Sequence, residues 1–237
     1  MNPLMSSIVY INDIDTANQG VYPIGRAPVL TPEQDIEYIE IKGRNGSLTK
    51  KYGYKDITYP LEFYISEKPS FKQAFRTAKV FMLQANSLSF SDDPDVYYRV
   101  KSIRIDTAEN LIVKYGRFTV EFTLAPFQYA LNDSTKTITA RTTLTNPGYE
   151  SEPLITVHCS GTGKLYINNV PVTIQNINGM IIIDSELMNA YGNNNGIITN
   201  LNNHMIGDFP VFRHGSNVID FDGGITKLEV NPRWRWV

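Results

Sequence analysis

Strict alternation of apolar and polar side chains marks two segments of the chain as half-buried β-strands. The apolar members share one parity in each segment, and they are Ile57, Tyr59, Leu61, Phe63 and Ile65, followed further on by Phe118, Val120, Phe122 and Leu124. Since successive side chains in a strand point to opposite faces, each segment presents one apolar face. Pro60 lacks a backbone N–H, so the first strand should have an edge or a bulge there.

A third segment follows the helical period instead. Ser70 and Gln73 form an S-x-x-Q pattern, which is typical of a helix N-terminus. Apolar side chains then recur at helical spacing as far as Ala85. The pattern predicts a helix over about 70–85 whose apolar stripe packs against a sheet.

The second half of the chain has a different pattern. Residues 132–153 are rich in Asn, Thr, Ser, Gly and Pro, which indicates a domain boundary. Short apolar runs follow, separated by predicted hairpin turns at Asn168-Asn169, Asn178-Gly179 and Asp222-Gly223. Regularly spaced short strands are typical of an antiparallel β-sandwich. The Asn- and Gly-rich segment 190–205 is expected to be a polar surface loop.

These patterns predict a mainly β protein with two domains. The first, over residues 1–131, is a β-rich α+β domain that contains the helix. The second, over residues 132–237, is an antiparallel β-sandwich.

Composition narrows the possible functions. The net charge of −2 over 237 residues excludes a general basic surface for nucleic acid. The one cysteine, Cys159, cannot form an intramolecular disulfide. Residues 1–13 do not resemble a secretory signal, and no apolar run approaches the roughly 20 residues of a membrane span. We therefore expect synthesis and solubility in a cytosol, without membrane insertion.

No complete catalytic or cofactor-binding motif is present in the sequence. The GTGK segment at 161–164 lacks the first Gly and the final Ser or Thr of a phosphate loop, so its glycines are interpreted as turn residues. The histidines are scattered, and the acidic run 92–95 lacks the Gly and distal Glu of an EF-hand. We expect no cofactor, no metal and no enzyme activity, although paired carboxylates for glycoside hydrolysis need no fixed spacing.

His158 and Cys159 invite comparison with a nucleophile and its base. Neighbouring residues on a strand point to opposite faces, which argues against a catalytic dyad. A buried structural cysteine is the favoured interpretation.

The first candidate binding segment is IEIKGRNGSLTKKYGYKD, residues 39–56. Asn45-Gly46 is a hairpin turn signal, and Gly43 supplies a second flexible point. No helix N-terminus follows to supply converging backbone donors, so a phosphate loop is disfavoured. The sequence predicts a β-hairpin whose tip carries Arg44, Lys50 and Lys51.

The second candidate is NPRWRWV at residues 231–237. On a strand, Trp234 and Trp236 would share one face, with Arg233 and Arg235 opposite. The two rings could fill the core, form a subunit interface or stack on sugar rings.

Several of these segments occur together in one family. The chain resembles the distal tail proteins of siphophages and prophages of Gram-positive bacteria. The resemblance lies in SIVYIND, in YIEIKGRNGSLTKKYGYKD followed by ITYPLEFYI, in the capped helix and EFTLAPFQY, and in FRHGSNVIDFDGGITKLEVNPRWRWV. The pattern of the family, a G-R-x-G turn with an aromatic-plus-acid ending, falls here on Gly43, Arg44, Gly46, Tyr54 and Asp56.

The resemblance implies a homohexameric ring at the virion tail tip, with ring-forming N-terminal domains and peripheral galectin-like sandwiches. The ring would be a hub joining the tail tube to the baseplate or tail fibre, and DNA would only pass through its lumen. The implied partners are other copies of the chain, the tail tube protein, a tail-associated lysin or tail fibre protein, and receptor-binding proteins. This chain lacks the long insertion that some members use as an arm or carbohydrate module.

Residues Gly43, Arg44, Asn45 and Gly46 are therefore candidates for a subunit interface, where Arg44 would meet a carboxylate of a neighbour. Two alternatives to the tail-tip hub remain open. One is a carbohydrate-binding module for host cell-wall saccharide, using Trp234, Trp236 or segment 190–205. The other is a tail-tube subunit, since a ring-forming β domain with one helix fits both roles.

Overall fold

The computed structural model describes residues 7–66, 70–106, 109–112 and 115–237. These residues form two compact units, one extending to Leu131 and the other spanning Asn132–Trp236. Strands account for 61% of the structure and helices for 9%, and the sheets are antiparallel. The predicted mainly β fold with one α-helix is confirmed.

The first unit consists of a mixed-length antiparallel sheet, one helix and a separate two-stranded ribbon. Its elements are β1 Val9–Ile11, β2 Ile14–Asp15, a 3₁₀ turn Thr16–Gln19, β3 Val21–Pro23, β4 Gln34–Ile39, β5 Leu48–Tyr54, β6 Ile57–Ser66, α1 Phe71–Met82, β7 Ser87–Phe90, β8 Asp93–Ile105, β9 Glu109–Ile112 and β10 Tyr115–Ala130. The sheet order is β2-β1-β7-β8-β10-β6-β3, with β9 also on β10, whereas β4 and β5 pair with each other.

The alternating segments form the centre of this sheet. Strands β6 and β10 pair in register from Ile57↔Leu124 to Ser66↔Tyr115, so their apolar parities share one face. All nine predicted core side chains of these strands are at most 7% exposed. Strand β3 covers the other edge of β6 only at residues 63–65, so among the described strands Pro60 faces an open edge, as predicted.

The helix begins where its cap predicts. The Ser70 side chain accepts a hydrogen bond from the Gln73 N–H at 3.4 Å, and α1 runs from Phe71 to Met82. Phe71 and Met82 are buried, and the Phe75 ring lies 4.9 Å from that of Phe118 on β10. The apolar stripe therefore packs against the sheet, as the helical spacing indicates.

The second unit is built around three long strands. Its elements are β11 Lys136–Ile138, β12 Thr142–Asn146, β13 Leu154–Ile167, β14 Val170–Asp184, β15 Asn189–Asn194, β16 Ile197–Asn200, a 3₁₀ turn Asn202–His204, β17 Met205–Ile206, β18 Gly215–Asn231 and β19 Arg235–Trp236. The sheet order is β11-β18-β13-β14-β15-β16, with β12 also on β18 and β17 also on β14.

Only one of the three predicted hairpin turns in this unit is a turn. Asn168-Asn169 joins β13 to β14 with φ angles of 52° and 67°, as predicted. The other two predictions are wrong, because Asn178-Gly179 lies inside β14 and Asp222-Gly223 lies inside β18. Gly161 and Gly163, interpreted as turn residues, lie inside β13.

Gly161, Gly163 and Gly223 flank bulges rather than chain reversals, whereas Asn178-Gly179 keeps its register with β13. The register shifts between β13 and its two neighbours fall between His158 and Gly163 on β13, and the sheet curls. A Cβ atom at Gly224 would lie 2.1 Å from the Ser160 carbonyl oxygen, and one at Gly163 would lie 2.6 Å from that of Asp222. Glycine is therefore required where the backbones of β13 and β18 approach at the bulge.

Segment 190–205 also differs from the prediction. It is a surface excursion, but β15 and β16 form a hairpin within it instead of a loop. The turn is made by Asn195 and Gly196, with φ angles of 49° and 88°. The Asn-Gly signal thus marked a tight turn rather than an irregular segment.

The close approach of Gly224 to the Ser160 carbonyl leads to a prediction about stability. We expect Gly224→Ala to lower the free energy of unfolding by about 1–3 kcal/mol, because backbone atoms must move to admit the methyl group. Gly192→Ala is the matched control, since its Cβ would meet only the flexible end of the Leu201 side chain at 3.3 Å. Urea unfolding followed by circular dichroism measures both; equal midpoints would contradict the packing argument.

Candidate subunit interface

The predicted hairpin is present, and it forms a separate ribbon that we call the arm, residues 33–55. Strands β4 and β5 pair from Gln34↔Tyr54 to Ile39↔Leu48. At the tip, Gly43 and Gly46 have φ angles of 86° and 74°, which glycine adopts without a steric cost. The Arg44 N–H donates to the Ile41 carbonyl oxygen at 3.1 Å and closes the turn.

The arm is exposed on both of its faces. Every residue from 37 to 53 is exposed, including five apolar ones at 39–66%: Tyr38, Ile39, Ile41, Leu48 and Tyr52. Neighbouring positions such as Tyr38 and Ile39 point to opposite faces, so neither face is purely polar. An isolated two-stranded ribbon is marginally stable in water, so this surface is suited to burial against another molecule.

Contacts within the arm hold its strands in register. The Tyr52 hydroxyl donates to Glu37 Oε2 at 2.6 Å, and Lys50 Nζ lies 4.7 Å from the centre of the Tyr52 ring. At the base, Lys55 Nζ and Glu33 Oε1 are 2.9 Å apart. The arm is thus preorganised at its base and middle, while its tip is supported by turn geometry alone.

The charge of the arm is concentrated near its tip. Residues 42–51 contain four cations and no carboxylate, namely Lys42, Arg44, Lys50 and Lys51. In the part of the chain that the structure describes, no ion pair involves any of the four. A positive, uncompensated tip favours an acidic partner surface.

Sequence reasoning identified the tip glycines and Arg44 but not the apolar residues of the arm. The available signal was the loss of alternation before the tip. Ile36 and Tyr38 fall on one parity while Ile39 and Ile41 fall on the other, which is unusual for a strand with one solvated face. The interface role of Gly43 to Gly46 stays a prediction.

The C-terminal tryptophans do not form the alternating strand that was expected. Arg233 has a φ angle of 54°, and the strand is limited to Arg235–Trp236, so the period of two is broken. Trp234 is 8% exposed, and its ring packs 5.6 Å from that of Phe212. Little of the Trp234 ring is left for a sugar; the saccharide or interface role of Trp234 and Trp236 stays a prediction.

The two arginines that precede the tryptophans, Arg233 and Arg235, are held by carboxylates of the second unit. Arg233 makes a bidentate pair with Asp184, at 2.7 and 3.1 Å. Arg235, which is buried, donates to the Glu150 carbonyl oxygen and to Glu152 Oε2, both at 2.7 Å. These bonds make the segment an integral part of the second unit.

The pKa values of two acids in this region are shifted in opposite directions, although burial raises both. Burial by itself raises the pKa of Asp184, but the hydrogen bonds and charge of Arg233 outweigh it and hold that pKa below its ordinary value. Burial raises the pKa of Asp133, whose carboxylate accepts the Trp234 N–H at 2.9 Å. Asp184 is therefore the acid whose ionised form stabilises the fold.

The histidine and cysteine pair has a structural environment. Cys159 is 4% exposed, and burial raises the pKa of its thiol. The His158 side chain points to the opposite face of β13, and its Nε2 lies 3.2 Å from Glu229 Oε1. This confirms the buried structural cysteine. Over the described ranges, no three His, Cys, Asp or Glu side chains are grouped to hold a metal ion.

The chain is similar to several solved structures. No family model matches, and no curated protein matches. A crystal structure of the Dit protein of phage SPP1, described as a paradigm of the hub adsorption apparatus in phages infecting Gram-positive bacteria, matches with a TM-score of 0.64 at 12% identity. The match covers 98% of this chain and 99% of that one.

Two further matches are structures of the phage P2 baseplate in its activated conformation, one with Ca and one with Sr. Each has a TM-score of 0.50 and covers 92% of both chains, at 9% and 8% identity. The resemblance to phage distal tail and baseplate hub proteins is confirmed at the level of the fold.

None of the described helices has the length and apolar character needed to cross a membrane.

The Asp184–Arg233 pair makes a pH-dependent prediction. Because the folded-state pKa of Asp184 is lowered, its stabilisation should be present above the unfolded pKa, about 3.9, and be lost as pH falls through the folded value. Wild type should be more stable than Asp184→Asn at pH 7, and the difference should shrink below about pH 4. Urea titrations across pH 2.5–7 measure it; a constant difference would contradict the assignment.

Proposed function

We propose that this chain is a structural component of a phage tail tip, a homohexameric hub that joins the tail tube to the baseplate or tail fibre. The observation that carries the proposal is the fold match along both units. A tail-tube subunit would require only a ring-forming unit, so the match across the second unit favours the hub. The proposed location is the tail tip of the virion, after assembly in the host cytoplasm.

The arm supports a ring as the mode of assembly. Two basic tips repel each other, so we expect the arm to meet a different surface on its neighbour rather than a second arm. Such head-to-tail contacts produce a closed ring when the rotation between copies divides the circle evenly. Six copies are the number that the family resemblance implies.

The charge of the chain is compatible with DNA passing through a lumen. Binding to the DNA backbone requires clustered cations that neutralise phosphates. The net charge of −2 provides no general excess, and we propose that DNA is conducted without being held. The role is architectural rather than enzymatic, with the tail tube protein and a tail-associated lysin or tail fibre protein as neighbours.

Native mass spectrometry of the purified protein tests the ring. We expect a species of six copies of the 26.8 kDa chain, and rings in negative-stain electron micrographs. A strict monomer at high micromolar concentration, without rings even when the tube protein is added, would overturn the proposal.

The arm tip makes a second test. Arg44→Glu should raise the midpoint concentration for assembly at least tenfold, equivalent to about 1.4 kcal/mol, because it places a negative charge where the partner surface is expected to be acidic. The monomer should unfold at the wild-type urea concentration, since Arg44 is exposed. Lys72→Glu, the same charge change on the exposed side of α1, is the control. Normal rings from Arg44→Glu would remove the tip from the interface.

A further inference from the structure

A pocket of about 300 Å³ lies in the first unit beside the turn between β7 and β8. Three aromatic rings and three polar side chains line it, together with residues 27–29: Tyr59, Phe90, Tyr98, Asp92, Asp93 and Gln128. No sequence motif predicted this pocket, because its residues come from four separate segments of the chain.

The walls of this pocket are fixed by hydrogen bonds. Gln128 Nε2 donates to the Tyr98 hydroxyl at 2.9 Å and to Asp93 Oδ2 at 3.3 Å. The Tyr59 hydroxyl donates to the Pro28 carbonyl oxygen at 2.6 Å, and the Tyr59 and Tyr98 rings are stacked with centres 6.1 Å apart. The rings are therefore preorganised, while Asp92 and Asp93 are exposed at the rim.

The chemistry of the pocket suits an organic cation. The three rings are at most 7% exposed, so recognition falls to the exposed carboxylates of the rim, and a guanidinium pairs with a carboxylate through two N–H donors. Residues 86–98 contain three aspartates and no Lys or Arg. Within the described part of the chain, Asp92 and Asp93 form no ion pair, so their charge is uncompensated.

The same chain carries the complementary group at the tip of the arm. Residues 42–51 have four cations without ion pairs among the described residues, and Arg44 lies between the two glycines of the turn. We propose that the pocket receives Arg44 from the arm of a second copy of this chain. The inference rests on the proposed ring and identifies the two surfaces that meet in it.

Reach and geometry favour a neighbouring copy as the source. Strand β4 has six residues, which at about 3.3 Å per residue extends the tip roughly 20 Å from the base of the arm. Arginine suits the site better than the lysines, since its planar fork can form two hydrogen bonds to the exposed Asp93 carboxylate. The tip and the pocket are different surfaces of the chain, so their contact between copies is heterologous, as a ring requires.

Chemical crosslinking tests the pairing directly. In the double variant Arg44→Cys, Asp93→Cys, a short bismaleimide should join the two introduced cysteines of neighbouring copies. The product should be a ladder of oligomers on a denaturing gel. A bismaleimide is needed because an Arg–Asp pair separates the Cβ atoms by more than a disulfide permits. Native Cys159 is buried, so the wild type should give no ladder.

Arg44→Cys with Asp95→Cys is the matched control, because Asp95 is exposed in the same acidic run but does not line the pocket. A ladder at least fivefold stronger with Asp93→Cys than with Asp95→Cys supports the pairing. Equal ladders, or none from rings that assemble normally, would overturn it.

Charge exchange provides the second measurement. Arg44→Asp and Asp93→Arg should each raise the assembly midpoint at least tenfold, and the double variant should recover most of that loss. Asp95→Arg should not restore assembly of Arg44→Asp. If it restores assembly as well as Asp93→Arg does, general charge attraction rather than a contact in the pocket explains the rescue. Unfolding midpoints identify any variant that fails to fold. Wild type without rings would refute the proposed function, whereas rings without rescue would refute only this pairing.

Discussion

A two-stranded ribbon cannot bury both of its faces, and this constraint governs the arm and everything inferred from it. Tyr38 lies on one face, Leu48 and Tyr52 lie on the other, and no third strand of the described chain pairs with either edge. Cross-strand contacts such as Tyr52 with Glu37 preserve the register but leave the apolar area in water. The free energy of covering that area is therefore available for association.

The rest of the first unit can support such an arm because its own core is complete. Strands β6 and β10 bury their shared apolar face, and α1 closes it through Phe75 and Met82. The arm contacts the sheet at its base, where the centre of the Tyr54 ring lies 5.6 Å from that of Phe127, so substitutions at the exposed tip can alter assembly while leaving the unit folded. This separation makes the arm suitable for contacts between copies.

Local signals predicted the elements that local interactions determine. The parity of 57–65, the Ser70 cap and the Asn45-Gly46 and Asn168-Asn169 turns need only nearby residues. Asn178-Gly179 and Asp222-Gly223 gave the same signal, but Asn178-Gly179 continues in register with β13 and Gly223 flanks a bulge. What distinguishes these sites from turns is the pairing of β14 and β18 with β13. On the β18 side, this pairing brings Ser160 close to Gly224, which is more than sixty positions away in the sequence. The pocket was unpredictable for the same reason, because Gln128 meets Asp93 only after β8 and β10 pair.

The proposed architectural role is also compatible with a fold match along the whole chain at 12% identity. Such a role requires a pattern of buried apolar positions, bends where backbones approach, and surfaces that complement one another. These requirements can be met by many different residues, except at glycine positions such as Gly224. Surfaces that meet in a homomeric ring belong to one chain, so a charge on the arm and its counterpart beside the β7–β8 turn can exchange without a change in any partner. In the proposed pairing, the signs of Arg44 and Asp93 are therefore constrained together: both can exchange, but neither can change sign alone.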